Sequence, residues 1–344
     1  MTTTETGARD VAEVLAWSRD LVQPAIREAA ATLPASMRHI SGYHMGWWDE
    51  RGRPTANGSG KSVRPALALL AAEAVGGTAE GALPAAVAVE LVHDFSLLHD
   101  DVMDGDATRR HRPTAWRVFG VSQAILAGDA LVSLAFARLA ESGHPLAHEG
   151  AGLLNATVLD LLDGQSADVG FEDRADVTLP ECIRMAGSKT GALIACACAL
   201  GALYGGADAR AIEHLRTFGA ELGLAFQLAD DLLGIWGDPE VTGKPVFSDL
   251  ANRKKSLPVV AALTSATGEA AELAAIYRSG TVLSDAELAR AADLVERAGG
   301  RDWCRETADG LLARAPVHLA EAGCAARPAA ELTALSTLMA RRTL

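Results

Sequence analysis

The stretch His99-Asp100-Asp101-Val102-Met103-Asp104-Gly105-Asp106 places three acids where one ion can meet them. On a helix, Asp104 lies four residues after Asp100 and three after Asp101, so their carboxylates share a face. Like charges that close repel unless a cation bridges them. Ligands made only of oxygen suit a hard ion, and Mg²⁺ characteristically takes one or two carboxylates together with substrate phosphates. Arg109 and Arg110 follow, with His111 and Arg112 beside them. A solvated acidic helix end would have no reason to be followed by paired guanidiniums. A metal-bound diphosphate would, because guanidinium binds phosphate in a bidentate fashion.

The order repeats. Gln227-Leu228-Ala229-Asp230-Asp231-Leu232-Leu233-Gly234 is followed by Gly243-Lys244-Pro245, Asp249 and Arg253-Lys254-Lys255. Acids again precede cations, and two such elements facing across a helical bundle would hold a diphosphate between metals. Gly58-Ser59-Gly60-Lys61-Ser62 has the look of a nucleotide-binding loop. That motif needs a glycine five residues before Gly60, where Thr55 stands, and a preceding strand. A P-loop NTPase is therefore excluded. What remains is Lys61 and Arg64 at the start of a helix, whose N-terminus favours anions. His93, about two turns before the first Asp motif, would complete a second diphosphate pocket; taken alone it reads as an ordinary hydrogen-bonded histidine.

The elements that must position these groups are helices. Ala, Leu and Val supply most of the apolar content, and aromatics are only 5%. Apolar periodicity predicts helices over 10–33, 62–75, 83–102, 122–142, 147–169, 180–203, 209–233, 255–264, 269–279, 285–298, 301–315 and 328–341. Residues 34–61 read as loop-rich. Gly76-Gly77, Gly205-Gly206 and Gly299-Gly300 fall where helices should stop. With no alternating β-branched run, repeat or linker, the reading is a single all-α domain over 1–344.

A net charge of −13 argues against a nucleic-acid partner but leaves room for a local cationic pocket. The five cysteines, Cys182, Cys196, Cys198, Cys304 and Cys324, lack zinc spacing and read as buried thiols in a reducing compartment. Thr190 to Ala207 is uncharged and apolar, but its glycines and alanines fit a packed core helix better than a membrane span. MTTTETGARD has no signal-peptide layout. The expectation is a soluble, cytoplasmic protein without stable membrane insertion.

Taken together, the motifs resemble the trans-polyprenyl synthase family, the all-α isoprenyl diphosphate synthases. The resemblance is clearest from Gly60 to Pro258. It is carried by Gly60 to Pro65, Asp100 to Arg110, Gly164 to Asp168, Lys189-Thr190, Phe226 to Asp231 and Gly243 to Pro258. The segments Gly42 to Trp48 and Asp230 to Pro239 are similar to the actinobacterial geranylgeranyl-type branch. The resemblance implies one large helical bundle with a central substrate cavity, a homodimer, and three Mg²⁺ ions per active site. By the same token Asp100 and Asp104 would bind two ions with Asp101 in support, and Asp230 a third with Asp231 nearby. Arg109, Lys189, Thr190, Gln227, Lys244 and Lys254 would hold an allylic diphosphate. Lys61, Arg64, His93 and Arg110 would hold isopentenyl diphosphate. The implied reaction is ionisation, condensation and elimination, with metals and lysines stabilising the departing diphosphate.

Three departures accompany the resemblance. Gly234 stands where the second motif usually ends in a third Asp, with Asp238 one turn further on. Phe247 stands where the family usually has Gly, and Ser59 and Ser62 replace the commoner Gly and Arg around Lys61. The second motif should therefore be the weaker metal binder. Phe95 and Ser96, just before the first motif, match the floor of the family's elongation pocket. A bulky residue followed by a small one fits a C20 product, geranylgeranyl diphosphate, better than the C15 farnesyl product. Two rivals differ in class. A class I terpene cyclase would carry an Asn-Asp-x-x-Ser-x-x-x-Glu site, which the sequence lacks. A non-catalytic subunit of a heteromeric synthase would commonly lose its Asp motifs.

Overall fold

The computed structural model describes residues 7–55, 62–239, 245–279 and 281–340. They fold into helices joined by short connections, with one two-residue hairpin as the named strand pair among them. The chain divides into two compact units. The first comprises Met1–Val158, Cys196–Arg216 and Leu319–Ala334; the second comprises Leu159–Ala195, Thr217–His318 and Leu335–Leu344.

The first unit begins with α1 (Val11–Ala31), whose start is fixed by a reciprocal capping box between Asp10 and Glu13. Next comes α2 (Ala35–His44), inside the stretch read from sequence as loop. Gly42 had suggested a break there. It is instead a helical residue lying under the Trp48 indole, whose Cη2 would stand 2.6 Å from a Cβ at that position. Then follow α3 (Val63–Ala74) and α4 (Ala79–Met103). Seven consecutive α3 residues, Ala66 to Ala72, are fully buried. So is α4 through most of its turns, as expected of a central helix that is apolar all round. The alanines let helices approach closely: a Cβ on Gly201 would lie 2.8 Å from the Ala68 carbonyl carbon. β1 (Thr108–Arg109) and β2 (Arg112–Pro113) pair antiparallel, and α5 (Ala115–Phe119) leads into α6 (Val121–Ala140). Arg9 bonds Glu331 at 2.7 Å, and Arg327 bonds Glu73 at 2.8 Å, tying together distant ends of the unit's chain.

Five helices contribute to both lists of segments: α7 (Ala147–Phe171), α9 (Ala192–Tyr204), α10 (Ala209–Trp236) and, later in the chain, Gly300–Glu321 and Ala326–Ala340. The apolar run beginning at Thr190 is a core helix, with Leu193, Ile194 and Ala197 to Leu200 almost completely buried. Burial also pushes the Cys196 thiol up to about 12. The second unit contains α8 (Leu179–Ala186), a π-helical turn over Gly187–Gly191, the later helices Ser248–Ala251, Leu257–Leu263, Gly268–Arg278 and Asp285–Arg297, and most of Gly300–Glu321. Its core joins Phe171, Cys182, Met185, Leu228, Leu232, Leu257 and Val260. A second cluster gathers Leu250, Val259, Leu273, Leu294 and Val295, with Phe247 packed against it.

Candidate active site

The first Asp motif closes α4, and the hairpin after it folds back on the motif. Asp106 N donates to the Asp101 carbonyl at 3.1 Å, and Thr114 Oγ1 and Trp116 Nε1 both donate to the Asp106 carbonyl at 2.8 Å. Arg110 and His111 form the two-residue turn, both with positive φ (51° and 61°). Such a turn suits a hairpin but is costly for residues with a Cβ, and strain of this kind gathers at functional sites. Its effect is to separate the arginines. Arg109 Nε donates to Asp101 Oδ1 at 2.7 Å. Arg112 donates to the carbonyls of Tyr43 and Trp48, stacked over the Tyr43 ring. Arg109, Arg110 and Arg112 line one cavity of about 270 Å³ with Asp101, Tyr43, His44 and Thr114.

The Asp motif is not uniform. Asp104 is exposed and Asp100 partly so, whereas Asp101 has a side chain only 2% exposed. Its Oδ2 is buried without a hydrogen-bond partner, and burial raises its pKa against the pull of Arg109. An unsatisfied buried carboxylate oxygen is expensive, and a hard cation is a partner that would satisfy it. Among the described residues no three His, Cys, Asp or Glu side chains gather into a ready-made metal cage. A Mg²⁺ ion completed by substrate phosphates needs no such cage. The residues fit the metal.

The same unit holds the groups expected around isopentenyl diphosphate. Arg64 Nη1 donates to His93 Nε2 at 3.2 Å. Burial, then the charges of Arg64, Arg110 and Arg109, hold His93 well below its ordinary range, so it accepts this bond as a neutral ring. His44, which sequence reasoning passed over, lies 3.6 Å from Asp94 with its side chain 3% exposed. Burial and the three cavity arginines hold its pKa down at about 3. Nothing in its sequence neighbourhood marks it. Phe95 is buried and meets the His99 ring edge-on at 4.8 Å; Ser96 donates to the His93 carbonyl at 2.9 Å. Lys61 and Lys244 lie outside the described residues.

In the second unit, α7, the π turn and α10 bring the other predicted residues together. Gly164 sits against the backbone of the π turn; a Cβ there would overlap Lys189 N and stand 2.8 Å from Ser188 Cβ. That approach lets Lys189 Nζ reach Asp168 Oδ2 at 2.5 Å. A π turn widens the helix by one residue and is commonly found at functional sites. Here it carries Lys189 and Thr190, and Thr190 Oγ1 donates to Gln227 Oε1 at 2.6 Å. Gln227 Nε2 donates onward to Asp231 Oδ1 at 2.7 Å, and Leu257 N donates to Asp231 Oδ2 at 2.8 Å.

Asp231 was expected beside Asp230 at a metal. The structure corrects this placement: Asp231 is buried with both oxygens engaged by protein donors, while Asp230 is exposed one residue earlier. Consecutive helical residues point about 100° apart, so one Asp of the pair faces out and the other becomes its support. Burial pushes Asp231 up to about 7 in spite of Lys254. Lys254 is itself partly buried, which works against its charge. Asp231, Asp168, Asp249 and Asp230 outweigh that and hold it above the ordinary lysine range. Phe247 adopts the left-handed region (φ 65°), which explains why glycine suits this place.

Each unit thus presents an exposed acid at the end of a long helix, a buried acid behind it, and cations that would meet an anionic ligand. Comparison with known proteins agrees. The Polyprenyl synthetase family profile matches residues 47–295. The chain is 48% identical over 328 residues to the (2E,6E)-farnesyl diphosphate synthase of Mycobacterium tuberculosis, covering 94% of this chain and 91% of the relative. It is 47% identical over 324 residues to the geranylgeranyl diphosphate synthase of the same organism, covering 93% and 90%. Among solved structures, the polyprenyl synthetase of Streptomyces coelicolor A3(2) superposes with a TM-score of 0.92 at 46% identity, covering 96% of this chain and 99% of that one. The geranylgeranyl pyrophosphate synthase of Corynebacterium glutamicum, solved with isoprenyl diphosphate and magnesium, gives 0.84 at 27% identity, covering 97% and 100%. The chain belongs to the polyprenyl synthetase family of trans-prenyltransferases. That family is Mg²⁺-dependent.

Proposed function

We propose that this enzyme condenses isopentenyl diphosphate with an allylic diphosphate of C5 to C15 and stops at C20, geranylgeranyl diphosphate. The observation that carries the reading is the cavity of Arg109, Arg110 and Arg112 built directly onto the buried acid of the first Asp motif. An anion receptor fused to a metal-binding motif suits a metal-bound diphosphate.

Asp100, Asp104 and Asp230 would hold the Mg²⁺ ions, three per site, with Asp101 completing the first pair. Bound there, Mg²⁺ supplies electrostatic stabilisation of the charge that develops on the leaving diphosphate. Arg109, Lys189, Thr190, Gln227, Lys244 and Lys254 bind the allylic diphosphate; Lys61, Arg64, His93 and Arg110 bind isopentenyl diphosphate. Breaking the allylic C–O bond leaves a carbocation, which the double bond of isopentenyl diphosphate attacks. Loss of a proton from the new cation, taken up by the released pyrophosphate, restores the double bond. Water must be excluded while the cation lives.

The product length rests on Phe95, buried before the first motif and wedged against His99. Purified enzyme supplied with Mg²⁺, isopentenyl diphosphate and each allylic partner should give mainly the C20 product. Phe95→Ala should give longer ones. A C15 product would identify a farnesyl diphosphate synthase, as the name of one close relative suggests. Unchanged chain lengths in Phe95→Ala would remove Phe95 from the floor of the pocket. A cytoplasmic homodimer, with residues 1–344 as one functional domain, completes the reading.

A further inference from the structure

Of the three arginines lining the cavity beside the first Asp motif, two are engaged by the protein itself. Arg109 is fastened to Asp101 through its Nε. Arg112 is fastened from the other side: its Nη1 donates to the Tyr43 carbonyl at 3.2 Å and its Nη2 to the Trp48 carbonyl at 2.9 Å. Its Cζ also lies 4.4 Å from the centre of the Tyr43 ring. A planar fork that reaches two carbonyls while stacked on an aromatic face is a use of arginine that lysine cannot reproduce. Tyr43 adds a contact of its own, its hydroxyl donating to the Pro113 carbonyl at 2.8 Å. The same ring meets Phe119 edge-on at 5.2 Å, so α2, the hairpin and α5 form one packed block.

Between Arg109 and Arg112 in the chain stand Arg110 and His111, both with positive φ. Residues with a Cβ keep that conformation only where their surroundings over-determine it. Towards α4 the hairpin is tied down by Thr114, whose N donates to the Ala107 carbonyl at 3.1 Å and whose Oγ1 donates to the Asp106 carbonyl at 2.8 Å. Towards α2 it is tied down by Arg112 and Tyr43. Arg110 lines the cavity, and its charge acts on His93, His44 and Asp94. The contacts of Arg112 with α2 therefore bear on where the Arg110 guanidinium stands.

We propose that Arg112 is a positioning residue for isopentenyl diphosphate, acting with Tyr43 as a latch that holds the Arg110–His111 turn in place so that Arg110 meets the diphosphate. The donors of Arg112 are engaged by backbone carbonyls and its face by the Tyr43 ring, so its part is geometric and not a charge offered to the substrate. This inference rests on the reading of Arg110 as a ligand of isopentenyl diphosphate.

Steady-state kinetics on variants that retain helical circular dichroism separate geometry from charge. Arg112→Lys keeps the charge and loses the fork, whereas Arg112→Gln loses both. Each should raise KM for isopentenyl diphosphate about tenfold and leave KM for the allylic diphosphate within about twofold of wild type, because Arg109 stays fastened to Asp101. Tyr43→Phe keeps the stacked ring and removes one hydrogen bond, and should raise the same KM about threefold. Arg112→Lys/Tyr43→Phe should do no more than Arg112→Lys alone, because both substitutions release one turn. A wild-type KM for Arg112→Lys would show that charge alone suffices and would overturn the proposal. So would a wild-type KM for Tyr43→Phe, an additive double variant, or an equal rise in KM for both substrates. Should Arg112→Lys not fold, Tyr43→Phe decides the matter alone. Arg110→Ala separates the two levels. If it leaves KM for isopentenyl diphosphate unchanged, the reading of Arg110 as a ligand fails and takes the latch with it. If it raises that KM while Arg112→Lys and Tyr43→Phe do not, only the latch fails.

Discussion

Asp94 lies one turn after Glu90 on α4, and both carboxyls are buried. Burial, then the charge of Glu90, pushes Asp94 up to about 8; Arg110, Arg64 and Arg109 oppose this without prevailing. Glu90 is raised for the same first reason. The native state therefore keeps a proton on Asp94 that the unfolded chain releases near its ordinary value of 3.8. A native state holding more protons than the unfolded state loses stability as pH rises, here across the window from about 4 to about 8. Asp94→Asn removes that contribution. Thermal melts from about pH 5 to about pH 8 should show the melting temperature of wild type falling more steeply than that of the variant; parallel slopes would show that Asp94 does not hold the proton. Charge order made one cluster legible in the sequence, the arginines Arg109 and Arg110 that line a cavity with Asp101. The inward turn of Asp231 and the orphaned burial of His44 were not, because nothing in spacing distinguishes the buried member of an Asp pair or marks a lone histidine as core.

At the scale of elements, Gly164 decides how closely α7 meets the π turn. Replacing it with alanine forces the backbone at Lys189 away from Asp168, and overpacking of this kind costs about 1–3 kcal/mol. Gly164→Ala should melt several degrees lower and show a raised KM for the allylic diphosphate, with KM for isopentenyl diphosphate much less affected. Equal changes in both KM values would mean a general loss of structure, and no change in either would mean that the helices part freely. The helices themselves were legible: predicted and observed ends differ by a few residues for α1, α3, α6 and α7, because apolar periodicity and glycine punctuation agree there. The exceptions have physical causes. Glycines at 42 and 46 masked α2, since they answer to indole packing and a turn outside the helix. The π turn splits what periodicity reads as one helix over 180–203, because inserting one residue leaves the hydrophobic pattern nearly intact. The hairpin at 108–113 is too short for any alternation to reveal.

At the scale of the whole molecule, composition and pattern announced an all-α protein, but surface placement is set by tertiary structure and shows only there. α4 and α6 carry equally apolar windows, of mean hydropathy 1.4, yet 72% of the first is buried and 39% of the second. The difference lies on the outward face of α6, where Val121, Ile125 and Leu126 are 45%, 37% and 50% exposed. Clustered large apolar side chains on a surface mark a contact. In a twofold homodimer such a patch meets its own copy, so each substitution enters the interface twice. Val121→Glu/Leu126→Glu would therefore set four carboxylates against one another while leaving the α4-facing residues Ala124 and Gly128 untouched. Light scattering coupled to size exclusion should give a dimer for wild type and a monomer for this variant, with helical circular dichroism retained. A monomeric wild type, or a variant that remains a dimer, would show that this face of α6 is covered by something other than a second copy of the chain.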